Sequence, residues 1–306
     1  MERRTRMAQG KGNFDPGCEL RRLGQWVASA VISLPDLTGF WKPVRSLIMI
    51  NIQSLTFEYP NHPPLFQGFN WNISRGETWA ILGPSGCGKT TLLYLLAGLR
   101  QPAAGEVRID GERIVRPRPR SGLILQDYGL LPWATVRDNV ALGVKVRGFY
   151  GPDGKHSPAN FTAKDNNAGV WIRRLGLDEA ADKFPAQLSG GQRQRTAIAR
   201  TLVLEPDLLL MDEPFSSLDA VTREDLQTLT LALCMEQNIT LIIVTHAIEE
   251  AAMLGKKILL LDAPPNRTAQ VFENPNAGTH GYRNSAEFHA MRERLWVEMQ
   301  GRNVSA

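Results

Sequence analysis

The octapeptide Gly83-Pro84-Ser85-Gly86-Cys87-Gly88-Lys89-Thr90 matches the phosphate-loop pattern, two glycines separated by four residues and followed by Lys and then Thr or Ser. Glycine lets successive backbone N–H groups wrap a chain of phosphates, and a helix beginning behind the loop adds partial positive charge. Lys89 can then reach the β and γ phosphates, and the Thr90 hydroxyl can reach Mg²⁺. The pattern has meaning only between a strand and a helix. Thr78 to Leu82, after Gly76, reads as that strand, and Thr91 to Ala97, ending at Gly98, reads as a buried helix.

Further chemistry lies downstream. Leu188-Ser189-Gly190-Gly191-Gln192 opens a helix carrying Arg193, Arg195 and Arg200. Its Ser-Gly-Gly start leaves backbone N–H groups facing outward, a second place for an anion. Leu208 to Met211 form an apolar strand ending in Asp212-Glu213, with Ser216-Ser217-Leu218-Asp219 directly after. Two carboxylates at a strand end are costly unless a metal or a water uses them. Gln126 stands at the exit of a strand over Gly122 to Leu125, and Thr245-His246 at the exit of another over Ile239 to Val244. Taken alone, His246 reads equally as a satisfied surface histidine. Cys18, Cys87 and Cys234 are far apart, odd in number and without metal-ligand spacing, which fits a reducing compartment.

Elements that could position these residues surround them. The 306 residues carry net charge +4, with 43% hydrophobic and 22% charged side chains, which permits one large α/β domain or a domain with appendages and reads as globular rather than disordered or membrane-embedded. The basic excess says little about partners, because Arg3, Arg4 and Arg6 open the chain and Arg113, Arg116, Arg118 and Arg120 fall in what reads as one solvated loop. Residues 1–48 form an extension, poorly ordered or translated from upstream of a start at Met7 or Met49. Their apolar run, Trp26 to Leu34, lies far from the start for a signal peptide and is stopped by Pro35-Asp36 short of the length of a span, so neither reading is favoured. Met49 to Phe57 and Phe69 to Ile73 alternate as two antiparallel strands around the turn Pro60 to Pro64. Glu106 to Asp110 is a third strand, turning at Asp110-Gly111. Helical patterns at Val136 to Leu142 and Val170 to Leu175 flank Gly148 to Asn167, a surface loop inserted in a helical subdomain of about residues 127–200. Lys257 to Leu261 and Ala269 to Phe272 read as closing strands. The body ends near residue 275, and residues 276–306 form a tail with an amphipathic helix, Glu287 to Met299.

Taken in order, the phosphate loop, Gln126, Leu-Ser-Gly-Gly-Gln, Leu208 to Glu213, Ser217-Leu218-Asp219 and His246 resemble the ATP-binding subunit of ABC transporters over about Met49 to Glu273. The resemblance implies a P-loop NTPase fold of the α/β class, with an antiparallel β subdomain and an inserted helical subdomain. Gln126-Asp127-Tyr128-Gly129-Leu130-Leu131-Pro132-Trp133 and the run from Ser285-Ala286-Glu287-Phe288 to Leu295 are similar to importers of nitrate, sulfonates and taurine. Two copies would then pack head to tail, each ATP lying between the Gly83 to Thr91 segment of one (Gly83, Pro84, Ser85, Gly86, Cys87, Gly88, Lys89, Thr90, Thr91) and Ser189, Gly190, Gly191 and Gln192 of the other. Thr90, Gln126 and Asp212 would hold Mg²⁺, and Glu213 would orient and deprotonate the attacking water. His246 would hydrogen-bond the γ-phosphate, Asp219 would link the two sites, and Tyr59 would stack on adenine. Trp133 would plug the helical subdomain or line a groove for a permease helix. Integral permease subunits and an extracytoplasmic solute-binding protein are the further partners implied, at the cytoplasmic face of a membrane, with no nucleic acid. Alternative readings are a soluble ABC ATPase acting on nucleic acid or ribosomes and a nucleotide-dependent regulatory protein. The single ATPase unit without zinc-binding cysteines counts against the first, and the presence of Lys89, Asp212, Glu213 and His246 against the second. Ala247 and Lys256-Lys257 depart from the family's usual Asp and Asp-Arg, and the insertion is longer than usual.

Overall fold

The computed structural model describes residues 48–162 and 167–303, so all but the last residue of the expected N-terminal extension lies outside the described residues. Strand β1 (Ile48–Phe57) pairs antiparallel with β2 (Phe66–Ser74) and β4 (Ala104–Ile109), and the two-residue β5 (Glu112–Arg113) completes a sheet of order β2-β1-β4-β5. The turn from β4 to β5 sits on Asp110 and Gly111, with φ of 53° and 80°, the pair of positive values that a tight hairpin favours. β2 begins three residues before the expected Phe69. Phe66 and Phe69 are both buried with two exposed residues between them, which breaks the period-two pattern. The pairing with β1 shifts register between Leu55 and Phe57, and such a bulge lets the strand continue.

The second sheet has order β10-β9-β3-β8-β7-β6. β3 (Thr78–Leu82), β6 (Ser121–Ile124), β7 (Leu208–Asp212), β8 (Thr240–Val244) and β9 (Lys257–Leu260) run parallel, and β10 (Gln270–Glu273) is an antiparallel edge. β3, β7 and β8 are buried at every position, hence their uninterrupted apolar runs. Successive side chains alternate between two cores. Trp79, Ile81, Leu208, Leu210, Ile242 and Val244 face one that contains the antiparallel sheet and helix α1 (Lys89–Leu96). Ala80, Leu82, Leu209, Met211, Leu241 and Ile243 face the other, built with the remaining helices: α2 (Val136–Tyr150), α3 (Ala168–Arg174), α4 (Gly190–Leu202), α5 (Ala220–Glu236), α6 (Ile248–Leu254) and α7 (Ala286–Asn303). Tyr282, Phe288 and Leu295 of the C-terminal segment are buried in this second core.

Two local expectations change. Helix α2 runs past Leu142 and takes Gly148 to Tyr150 out of the expected loop, because Arg147 is buried on its inner face and donates to the carbonyls of Leu204 (2.7 Å) and Pro119 (2.5 Å). It ends at Gly151, whose φ of 67° is accompanied by an N–H bond back to Arg147 at 2.9 Å. Arg118 is not solvated: its side chain is 16% exposed and donates to both oxygens of Asp207 and, at 2.7 Å, to Asp110, tying the β4–β5 turn to the start of β7.

Candidate active site

The segments that carry Lys89, Gln126, Asp212, Glu213 and His246 all leave the carboxyl ends of parallel strands. Register places Ile81 beside Val244 and Val244 beside Asp212, so the loops that leave β3, β8 and β7 emerge together. Ligands of open α/β sheets collect outside such strand ends.

Behind β3 the chain turns through Gly83 to Gly88 into α1. Gly86 and Gly88 have φ of 77° and 103°, values that a Cβ disfavours. Gly88 is the N-cap of α1, and no side chain caps the helix, which leaves first-turn N–H groups to a ligand. Lys89 is 8% exposed, and its Nζ donates to the carbonyls of Gly83 and Pro84, each at 2.8 Å, since a buried ammonium needs such partners. Cys87 is 1% exposed, burial pushes its thiol pKa up, and its N–H donates to Pro84 at 3.4 Å. A cavity of about 750 Å³ opens here, within the range of ligand pockets. Ser85, Gly86, Gly88, Lys89, Thr90 and Thr91 line one wall, Glu213 borders it, and Tyr59, Pro60, His62, Pro63, Leu65 and Pro264 form the rest. Of the nearby aromatics, Phe57 and Phe66 are buried, while Tyr59 stands edge-on to Phe57 with centroids 5.1 Å apart. The Tyr59 hydroxyl lies 3.2 Å from Thr91 Oγ1.

At the inner end, Thr90 Oγ1 donates to Asp212 Oδ1 at 3.1 Å. Burial pushes the Asp212 pKa up, against the pull of the Thr90 hydroxyl and the Lys89 charge. A hydroxyl and a carboxylate converging beside a phosphate loop are hard oxygen donors, the set that suits Mg²⁺, so the residues present fit that ion. Glu213 adopts φ 45°, unusual outside glycine, with its N–H on the Val244 carbonyl at 2.9 Å. Its Oε2 lies 3.1 Å from His246 Nδ1 and 3.5 Å from Gln126 Nε2. Three chain segments, leaving β6, β7 and β8, thus meet on one carboxylate.

Residues Ser189 to Gln192 are absent from the walls of this cavity. Ser189 is the N-cap of α4: its Oγ accepts the Gln192 N–H at 3.2 Å, and Gln192 Oε1 accepts the Ser189 N–H at 3.1 Å. The run expected to present free N–H groups therefore spends that of Gln192, and its side chain, on itself. Asp219 caps α5, and the Thr222 N–H at 3.0 Å holds its carboxyl below the usual range. A larger cavity of about 900 Å³ lies between α5, α6 and α7 with His246 at its lip, but its arginines are committed: Arg283 to Glu224 at 3.2 Å, Arg292 to Glu249 at 3.0 Å, and Arg223 to the carbonyls of Phe215 and Leu218.

The family description "ABC transporter" matches residues 66–216. The chain is 43% identical over 215 residues to the taurine import ATP-binding protein of Pseudomonas aeruginosa, covering 70% of this chain and 78% of that one. It is 36% identical over 236 residues to the aliphatic sulfonates import ATP-binding protein of Bacillus cereus, covering 77% and 88%. The chain belongs to the ABC transporter family. It shares this α/β cassette fold with a dimeric ATP-binding cassette solved in a post-hydrolysis state with ADP and Pi, at TM-score 0.61 and 29% identity, over 74% of this chain and 98% of that one. Like the family's ATP-binding proteins, it is an ATPase.

Two features of this ABC ATPase escape a reading of the sequence. Glu250 is 6% exposed, burial pushes its pKa up, and it accepts hydrogen bonds from Thr245 Oγ1 and, at 3.3 Å, from Gln227 Nε2. Thr245 Oγ1 in turn accepts the Ala247 N–H at 3.0 Å, which satisfies the backbone of the N-cap residue of α6, a helix without a side-chain cap. A carboxylate within the apolar stretch of α6 is the signal that could have found it. The other is Tyr128, whose hydroxyl lies 2.7 Å from Ser217 Oγ.

Proposed function

We propose that this ATPase energises an importer of a small anion or sulfonate-type solute, of the nitrate, sulfonate and taurine kind, in line with the functions of its relatives. In this reading two copies pack head to tail. Each nucleotide is held by Lys89, the phosphate-loop amides and Tyr59 of one copy and covered by Ser189, Gly190 and Gly191 of the other. Thr90, Gln126 and Asp212 would hold Mg²⁺, which would supply charge neutralisation at the phosphates. Glu213 takes a proton from the attacking water, His246 hydrogen-bonds the γ-phosphate, and Asp219 joins the two sites. The meeting of His246 and Gln126 on Glu213, which borders the phosphate-loop cavity, carries this reading, because it supplies a candidate base with an imidazole and an amide to orient it.

Among the described residues, no helix is long and apolar enough to cross a membrane. Trp133 is 74% exposed, against the plug reading and in favour of a docking groove for a permease helix. The complete machine would include integral permease subunits, with this chain peripheral on the cytoplasmic face and a solute-binding protein outside. Reconstituting the chain with its copurified permease in vesicles tests this. ATP-dependent uptake of taurine, an alkanesulfonate or nitrate is expected; active ATP hydrolysis with uptake of none of them overturns the solute assignment.

A further inference from the structure

Tyr128 lies two residues beyond Gln126 and has φ 62°, a conformation that a tyrosine adopts only when held there. Arg200 of α4 holds it, donating to the carbonyls of Tyr128 (2.8 Å) and Gly129 (2.5 Å), and the Arg193 guanidinium sits 5.9 Å from the ring centroid. The backbone is therefore pinned to the helix that begins at Ser189.

The side chain reaches elsewhere. Its hydroxyl pairs with Ser217 Oγ at 2.7 Å. Ser217 belongs to a loop hung on Glu213, whose carbonyl accepts both the N–H (3.3 Å) and the hydroxyl (3.0 Å) of Ser216. Gln126 closes the circuit with its amide 3.5 Å from Glu213 Oε2. Gln126, Tyr128, Ser217, Ser216 and Glu213 thus form a ring of two chain segments joined by two side-chain contacts. Next to it, a Cβ on Gly190 would stand 3.1 Å from Leu218 Cδ2 and 3.9 Å from the Tyr128 hydroxyl, so the start of α4 rests on the same spot.

We propose that Tyr128 is a positioning residue for hydrolysis: through Ser217 its hydroxyl holds the loop between Glu213 and Asp219 in register with Gln126 and with the start of α4. This inference rests on the reading of Glu213 as the base. A hydroxyl that only supported the fold would lower the melting temperature and leave turnover well below that temperature intact. One that sets the Glu213 carboxylate lowers kcat without weakening nucleotide binding.

The experiment measures kcat and KM for Mg-ATP on the full chain as wild type, Tyr128→Phe, Ser217→Ala, the double variant and Ser217→Thr. Each single variant is expected to lose about five- to tenfold in kcat with KM within about twofold, the scale of one hydrogen bond felt in the transition state. The double variant is expected to lose no more than either single one, because both remove the same bond, and Ser217→Thr, which keeps the hydroxyl, is expected to restore turnover. Wild-type kcat in either single variant, or losses that multiply in the double, overturns the proposal. Glu213→Gln separates the two possible failures. If it is inactive while Tyr128→Phe turns over normally, only Tyr128 loses its role; if it turns over normally, the reading of Glu213 fails, and this inference with it.

Discussion

Two glycine-rich helix starts in this chain look alike in sequence and differ in what the chain builds around them. At α1 the N-cap is Gly88, no side chain caps the helix, and a buried lysine and a cavity of about 750 Å³ adjoin it. At α4 Ser189 and Gln192 cap the helix reciprocally, and the run stands outside that cavity. An uncapped start is stabilised by a ligand that brings acceptors, whereas a capped one is stable in water by itself, by about 1 kcal/mol relative to alanine at the cap. In the proposed reading the first start is a binding site within one chain, and the second a platform for a nucleotide carried by another copy.

Substitutions on the two sides should separate accordingly. The largest effect is expected from Glu213→Gln, which keeps shape and hydrogen bonding and removes basicity: turnover should fall by about 10³-fold, the range of general-base catalysis, while nucleotide still binds. Sedimentation with Mg-ATP should show a two-fold dimer of this variant, favoured by mass action. A monomer at saturating ATP would break the comparison, because the platform would then have no nucleotide to meet. Lys89→Ala comes next: losing charge-assisted bonds to phosphate worth about 3 kcal/mol should weaken ATP binding roughly a hundredfold by calorimetry. Tyr59→Ala should cost about tenfold in affinity through lost base stacking, and Tyr59→Phe almost nothing. Ser189→Arg sharpens the contrast most with the smallest effect on binding. Its affinity for ATP as a monomer should stay within about twofold, since the residue lies off the cavity, while dimerisation and turnover are lost. A tenfold drop in monomer affinity would place Ser189 inside the single-chain site after all.

Much of this arrangement is legible in the amino-acid sequence. Strands buried on both faces give uninterrupted apolar runs, and the functional residues follow directly at their ends, so β3, β7 and β8 and their exits are readable within one or two residues. Local pattern fails where a distant partner decides. The start of β2 hides behind a bulge, and Arg118 reads as solvated until Asp207 appears 89 residues away. Tyr128 and Ser217 are likewise 89 residues apart, and neither residue type announces the other. The end of α2 is set by carbonyls from two other segments, which helix propensity does not encode.

Tyr282, Phe288 and Leu295, in what the sequence presents as a tail, are core side chains at 3%, 3% and 0% exposure. The Tyr282 hydroxyl also bonds the buried Asn274, and Arg283 reaches Gln227 at 2.9 Å, one step from Glu250 and the segment carrying His246. Deleting one large apolar core side chain costs about 3 to 5 kcal/mol, and a domain's whole stability is about 5 to 15 kcal/mol. A stop codon after residue 275 would therefore give no trimmed but working enzyme. The truncated product would expose an apolar hollow and is expected to aggregate and be cleared by proteolysis.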